Sequence, residues 1–203
     1  MKKEIIIFLL SSILLTAANG QQLKKPFDYL SVSDLLFNKS AYSLSWTSHP
    51  TANFFKQEYL VKADNADRYN TMILIDVLTG TDNIKEIVAQ KITELKKLKE
   101  SNPVIRYETF DNTKSGEYMI DFVLTENSAD GKYISIAERN VYRYKFFVDK
   151  KGNKSILLFG VSIRSYGNAV GNFLNDLKIN KSVLVNEVAG FKIPEIKIIQ
   201  ANQ

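Results

Sequence analysis

The spacing of hydrophobic and polar positions changes period several times along the chain, and each change predicts an element. Residues 42–46 (Tyr42-Ser43-Leu44-Ser45-Trp46) alternate apolar with small polar side chains, as a half-buried strand requires. Residues 54–62 alternate less cleanly but read the same way. Residues 71–78 are nearly all apolar, with Asp76 the one charge, which predicts a central strand covered on both faces. The period then lengthens. Ile84, Ile87, Val88, Ile92, Leu95 and Leu98 share one helical face, and Lys85, Lys91, Lys96, Lys97 and Lys99 are assigned to the other. Asn83 and Glu86 stand at capping-box spacing, and Asn102-Pro103 ends the helix.

Four further strands are expected at 104–110, 117–125, 132–149 and 155–164. The second alternates sharply, with Tyr118, Ile120, Phe122 and Leu124 on one face. The third is long, which predicts a bulge or bend near 137–140. Short turns between them imply antiparallel pairing. Val170, Phe173, Leu174 and Leu177 begin a C-terminal helical stripe that Leu184, Val185 and Val188 continue, with an interruption at Asn180 and an end near Gly190. Residues 33–36 suggest a short turn of helix, and 191–199 an extended tail. The expected fold class is α+β: an antiparallel or mixed sheet of about six to seven strands with two main helices packed against it. The expected division is a signal at 1–20, an arm at 21–40 and one globular domain at 41–203.

This order of elements, over about residues 42–190, is similar to that of the sandwich family that includes the photosystem extrinsic protein PsbP and the periplasmic protein DcrB. The resemblance implies an accessory or binding protein without turnover. No motif accompanies it, so no functional residue carries over.

The N-terminus adds a location. Lys2 and Lys3 precede an apolar run at 5–15, and small residues follow at Thr16-Ala17-Ala18-Asn19-Gly20. That is the form of a cleavable export signal, about eleven apolar residues against the roughly twenty of a membrane span. Cleavage near Gly20 would leave Gln21 first and direct the mature chain to the periplasm or the medium, with no transmembrane span. The chain has no cysteine, so it forms no disulfide and carries no lipid on a cysteine at that point. Its charge is mild, 27 basic against 22 acidic side chains with both signs interspersed. That balance suits solubility better than a nucleic-acid partner.

Candidate chemistry is sparse. One histidine and no cysteine argue against zinc, haem or iron–sulfur centres, and no cofactor is expected. Asp64-Asn65-Ala66-Asp67 has carboxylates at a calcium-like spacing but no glycine hinge or closing glutamate, so it reads as a polar loop. His49 precedes Pro50 with no nucleophile elbow nearby, and reads as the end of a strand. Asp76, Glu117, Asp121 and Glu138 would support hydrolysis only if two of them met across a cleft; cross-strand pairs with arginine are the simpler use.

Alternation over 138–146 puts Arg139, Arg143 and Lys145 on one strand face and Tyr142, Tyr144 and Phe146 on the other. Tyr133, Arg139, Tyr142, Arg143, Tyr144 and Arg164 are the candidate recognition residues, since tyrosine and arginine dominate binding hot spots. The same tyrosines serve equally well as core. The leading expectation is an exported, non-catalytic binding or accessory protein of the bacterial cell envelope. Its partner would be an envelope protein, a glycan or a small ligand. A carrier with an apolar pocket lined from the twelve Phe, ten Tyr and one Trp, and a carboxylate-dependent hydrolase, are the alternatives.

Overall fold

A computed structural model describes residues 26–112, 114–148 and 152–199. The expected signal at 1–20 lies outside the described residues. Eight strands form one sheet: β1 (Asp34–Phe37), β2 (Ser40–Thr51), β3 (Phe54–Leu60), β4 (Thr71–Thr79), β5 (Arg106–Asn112), β6 (Glu117–Asn127), β7 (Ile134–Val148) and β8 (Lys154–Tyr166). The helices are α1 (Ile84–Ser101), α2 (Val170–Ile179) and α3 (Lys181–Gly190).

This corrects the expected count of six to seven strands and two main helices. The extra strand is β1. Its residues 33–36 suggested a turn of helix, but Leu35 and Phe37 are buried while Asp34 and Leu36 are exposed, a period of two rather than 3.6. Asn38 and Lys39 both adopt positive φ, 47° and 66°, the geometry of a two-residue hairpin, and they fold β1 onto β2. The extra helix arises because Asn180 does break the C-terminal stripe, giving α2 and α3 separate axes. The bulge expected near 137–140 is also absent. β7 pairs with β8 in continuous register from Ile136 to Val148, so a full-length strand runs through the middle of the sheet.

Every pairing is antiparallel, and the strand order is β1-β2-β3-β4-β8-β7-β6-β5. The chain thus makes two four-stranded meanders. The first runs β1 to β4. Helix α1 then carries the chain across to the far edge, and the second meander returns from β5 until β8 closes against β4.

Asn83 caps α1 as its spacing predicts: its side chain accepts from the Glu86 amide at 3.2 Å and donates to the Glu86 carboxylate at 2.9 Å. At the other end Asn102 Nδ2 donates to Thr125 of β6, at 2.9 Å to the hydroxyl. Helix α1 therefore starts where β4 ends and finishes beside β6, crossing one face of the sheet obliquely. Ile84, Ile87, Val88 and Leu95 pack there with Phe54, Leu78, Ile120, Phe122, Tyr144, Ile156 and Leu158.

The opposite face is covered by Leu184 and Val188 of α3, by Leu30 and Val32, and by Ile196 from the tail. These lie over Phe55, Tyr59, Ile73, Ile75, Val77, Val141, Leu157, Phe159 and Val161. The alternation of Met72, Leu74, Asp76 and Leu78 with Ile73, Ile75 and Val77 explains why β4 carries an unbroken apolar run: both of its faces are buried. Because α1 crosses obliquely, it leaves one corner of its face, over β3, β4 and β8, to the β3–β4 loop. Tyr69 of that loop packs with Leu60, Met72 and Leu74 there.

Candidate functional site

The two sides of β7 separate the predicted recognition residues. Arg139 and Arg143 point to the α3 face. Arg139 grips Asp121 with two hydrogen bonds, 2.9 and 2.8 Å, and donates to the Lys181 carbonyl at 2.5 Å. Arg143 does the same to Glu117 at 3.0 and 3.1 Å, and reaches the carbonyls of Val188 and Phe191 at 3.3 and 3.0 Å. Paired carboxylates thus hold two guanidiniums whose remaining donors fix α3, and Arg143 places its charge at the C-terminal, electronegative end of that helix. These groups are consumed in holding the fold. Glu117 and Asp121 lie on the α3 face and Asp76 and Glu138 on the other, so the four acids do not meet in one cleft.

Tyr142 and Tyr144 point to the α1 face, with Glu138 and Asn140 behind them on the same side of β7. Glu138 accepts from the Tyr69 hydroxyl at 2.6 Å, from Arg164 Nε at 2.7 Å and from Asn140 Nδ2 at 3.0 Å. The Arg164 guanidinium lies 4.2 Å from the centre of the Tyr69 ring. Ser162 donates to Asn140 at 2.5 Å. This group ties the β3–β4 loop to β7 and β8, and Arg164 is the one predicted arginine on this face. Tyr133 is apart from all of them, 60 % exposed in the β6–β7 turn.

Between this group and α1 lies a seam. Tyr142, partly exposed, packs against both the α1 cluster and the Tyr69 cluster. Its ring covers Gly160 so closely that a Cβ there would stand 2.9 Å from it, which is the reason this strand position has no side chain. Cross-strand register sets the polar groups beside it. Glu58 of β3 faces Leu74, which faces Gly160 and then Tyr142; one step along, Lys56 faces Asp76, then Leu158 and Tyr144. Exposed Trp46 of β2 stands opposite Glu58. From α1, Lys91 points inward: only 5 % exposed, it donates to Glu94 at 3.2 Å, with its ammonium 5.0 Å from the Phe122 ring centre and 5.8 Å from that of Tyr142. This corrects its assignment to the solvent face. Its long stem lets the ammonium reach an aromatic seat from inside the apolar stripe.

Asp76 is the unusual member. It is 4 % exposed, and its Oδ1 makes no hydrogen bond among the described residues. Burial pushes its carboxyl up to about 7; the charge of Glu58 adds to this, and Lys56 and a Gln57 backbone hydrogen bond oppose it. Burial also raises the Glu58 carboxyl, Lys56 opposing and Glu138 adding. The Lys91 ammonium is pushed down by burial, against the pull of Glu94. Burial holds the Tyr69, Tyr142 and Tyr144 hydroxyls far above their ordinary range; Tyr144 also feels Asp76 and Glu94. The seam is therefore a low-dielectric place in which burial holds the carboxyls and hydroxyls toward their protonated forms and the Lys91 ammonium toward its neutral form.

Of the residues that define it, Asp76, Tyr142, Tyr144, Glu138 and Arg164 were legible as candidates. Glu58, Lys91, Tyr69, Asn140 and Ser162 were not. The signal for Glu58 was the imperfect alternation of 54–62, where polar residues occupy both faces of a buried strand. Asn65 Oδ1 accepts from the Asp67 and Arg68 amides and Asp64 accepts from the Asn70 amide, so these two side chains hold the turns of the 64–70 loop. Among the described residues no His, Cys, Asp and Glu group of three or more is arranged to hold a metal. His49 stacks on Phe55 with ring centres 4.3 Å apart and belongs to the aromatic packing under Tyr29.

A protein-family model matches the chain over residues 30–193. No curated protein and no solved structure matches it, and no link to the PsbP-like sandwich is shown.

Proposed function

The chain belongs to this family, an uncharacterised one, and from the seam beneath α1 we propose an exported, non-catalytic binding protein of the bacterial cell envelope. The observation that carries the reading is Asp76. A buried carboxylate oxygen without a hydrogen bond costs several kcal/mol that a leucine in the same strand would not. It lies next to Glu58 and near a partly exposed tyrosine, where a small molecule entering between α1 and the β3–β4 loop would meet it. The form of residues 1–20 supports export.

Native mass spectrometry on the protein purified gently from its own envelope tests the reading. An added mass of a few hundred daltons is expected, and N-terminal sequencing should begin at Gln21. A protein-sized addition instead would favour an accessory module. One feature supports that second reading: Ile179 and Val183 are 80 % and 52 % exposed on either side of Lys181, which pairs with Glu108 of β5. A clean monomer mass would sink tight binding of either kind.

A further inference from the structure

We infer that the seam accepts the ammonium group of a small organic amine, with Asp76 as its hydrogen-bonding counter-ion and the Tyr142 ring as its aromatic wall. The inference rests on the binding reading above and adds the ligand's chemistry. Three independent features point to a cation. The first is the unmet acceptor: Asp76 Oδ1, buried, calls for an N–H or O–H donor. The cation nearest in register, Lys56, is turned to the Phe54 ring, 5.8 Å from its centre.

The second is that this part of the molecule already seats an ammonium against its rings. Lys91 Nζ lies over Phe122 and Tyr142, a cation–π arrangement that burial strengthens. The third is charge. Glu58, Asp76, Glu94 and Glu138 face the seam against Lys56, Lys91 and Arg164, so an ionised Asp76 leaves the group one positive charge short. An anionic ligand would meet those carboxylates unfavourably. A purely apolar one would leave Oδ1 as it is. A primary ammonium supplies both the missing charge and the missing donor, and a quaternary one supplies only the charge.

The test uses the full mature chain at pH 8 and three probes: phenethylammonium, 2-phenylethanol of the same shape without the charge, and tetramethylammonium. Affinity is read by titration calorimetry, and the site by the amide shifts of Gly160 and Leu74. Phenethylammonium is expected to bind at least tenfold more tightly than either other probe and to move both amides. Asp76→Asn should cost at least tenfold in its affinity, and Glu117→Gln on the far face should cost nothing. Asp76→Asn removes a buried charge and is expected to fold, which its amide spectrum checks. Equal binding of phenethylammonium and 2-phenylethanol, or an unchanged Asp76→Asn variant, would overturn the cation inference while leaving a binding site in place. No binding by any probe, together with an added mass in the native spectrum whose identity is not an amine, would also overturn it and spare the binding reading. A clean native mass as well would remove both.

Discussion

At the scale of single residues, Asp76 decides most of what is chemically distinctive. Its carboxyl rises to about 7 because it is buried, with Lys56 and Glu58 beside it on β3 and the Tyr144 hydroxyl, which also feels Glu94, across Leu158. Between the ordinary value of 3.8 and about 7, the folded chain keeps a proton that the unfolded chain has lost. The contribution of this group to stability is therefore complete below about 4 and is lost as the pH climbs to about 7. Glu58, also raised by burial, acts in the same direction.

Asp76→Asn keeps the neutral form at every pH. It should raise stability at pH 8 by roughly 1–3 kcal/mol and have little effect at pH 4. Urea melts of both proteins across that range check it, and a variant less stable than the parent at pH 8 would show that the ionised carboxylate has a partner. Asp76 was visible in the sequence as the one charge in an apolar run. Its lack of a partner was not, because that depends on where Lys56 and Lys91 send their ammonium groups.

At the scale of elements, the arginines of β7 fasten α3 to the sheet. Removing the Arg143 side chain leaves Glu117 mostly buried without its guanidinium and takes the donor from the carbonyls of Val188 and Phe191. Lys145, 3.8 Å from Glu117, softens the loss. Arg143→Ala should destabilise by about 2–3 kcal/mol, and hydrogen exchange should quicken in α3 much more than in α1. Equal quickening in both helices would mean that Arg143 supports the sheet generally. Alternation along β7 predicted that Arg139 and Arg143 share a face opposite Tyr142 and Tyr144. What that face meets was outside its reach, since the carbonyls that Arg143 holds come from residues 45 and 48 positions away.

At the scale of the whole molecule, both ends of the described chain close the α3 face together. The Lys197 amide donates to Leu30 O at 3.0 Å and the Ile199 amide to Tyr29 O at 2.8 Å, and Ile196, just before them, is buried. Buried Gln57 receives the same segment, accepting from the Leu30 amide at 3.0 Å and donating to the Tyr59 hydroxyl at 2.6 Å. Among the described residues, removing 195–203 deletes two backbone hydrogen bonds, the Ser31 hydroxyl's bond to the Lys197 carbonyl, the burial of Ile196 and the partial burial of Ile198, about 3 kcal/mol or more together. Limited proteolysis should then cut first within residues 26–33, and the midpoint of thermal unfolding should fall. Unchanged cleavage there would show that Gln57 and Asp28, which accepts from the Val32 amide at 3.0 Å and from Gln57 Nε2 at 3.1 Å, hold the segment without the tail.

Local pattern determined what local physics controls: the period of two in β6, the doubly buried apolar run of β4, the capped and stopped helix α1, the break at Asn180, and the two faces of β7. The alternation at 42–46 is broken by a register shift between Leu44 and Trp46 that leaves Trp46 exposed. It also named Asp76. Tertiary structure alone decided the strand count, because β1 becomes a strand only by burying Leu35 and Phe37 against segments far along the chain. It decided the order of the two meanders, whose joining strands β4 and β8 pair Thr71 with Ile163 and Thr79 with Ser155, far apart in the chain. It decided that Lys91 turns inward, which follows from the oblique path of α1 over the sheet, and that Glu58 lies diagonally beside Asp76, which follows from the β3–β4 register. Period and propensity act over a few residues, whereas the seam is made by groups from β3, β4, α1, β7 and β8 that meet only after the sheet has closed.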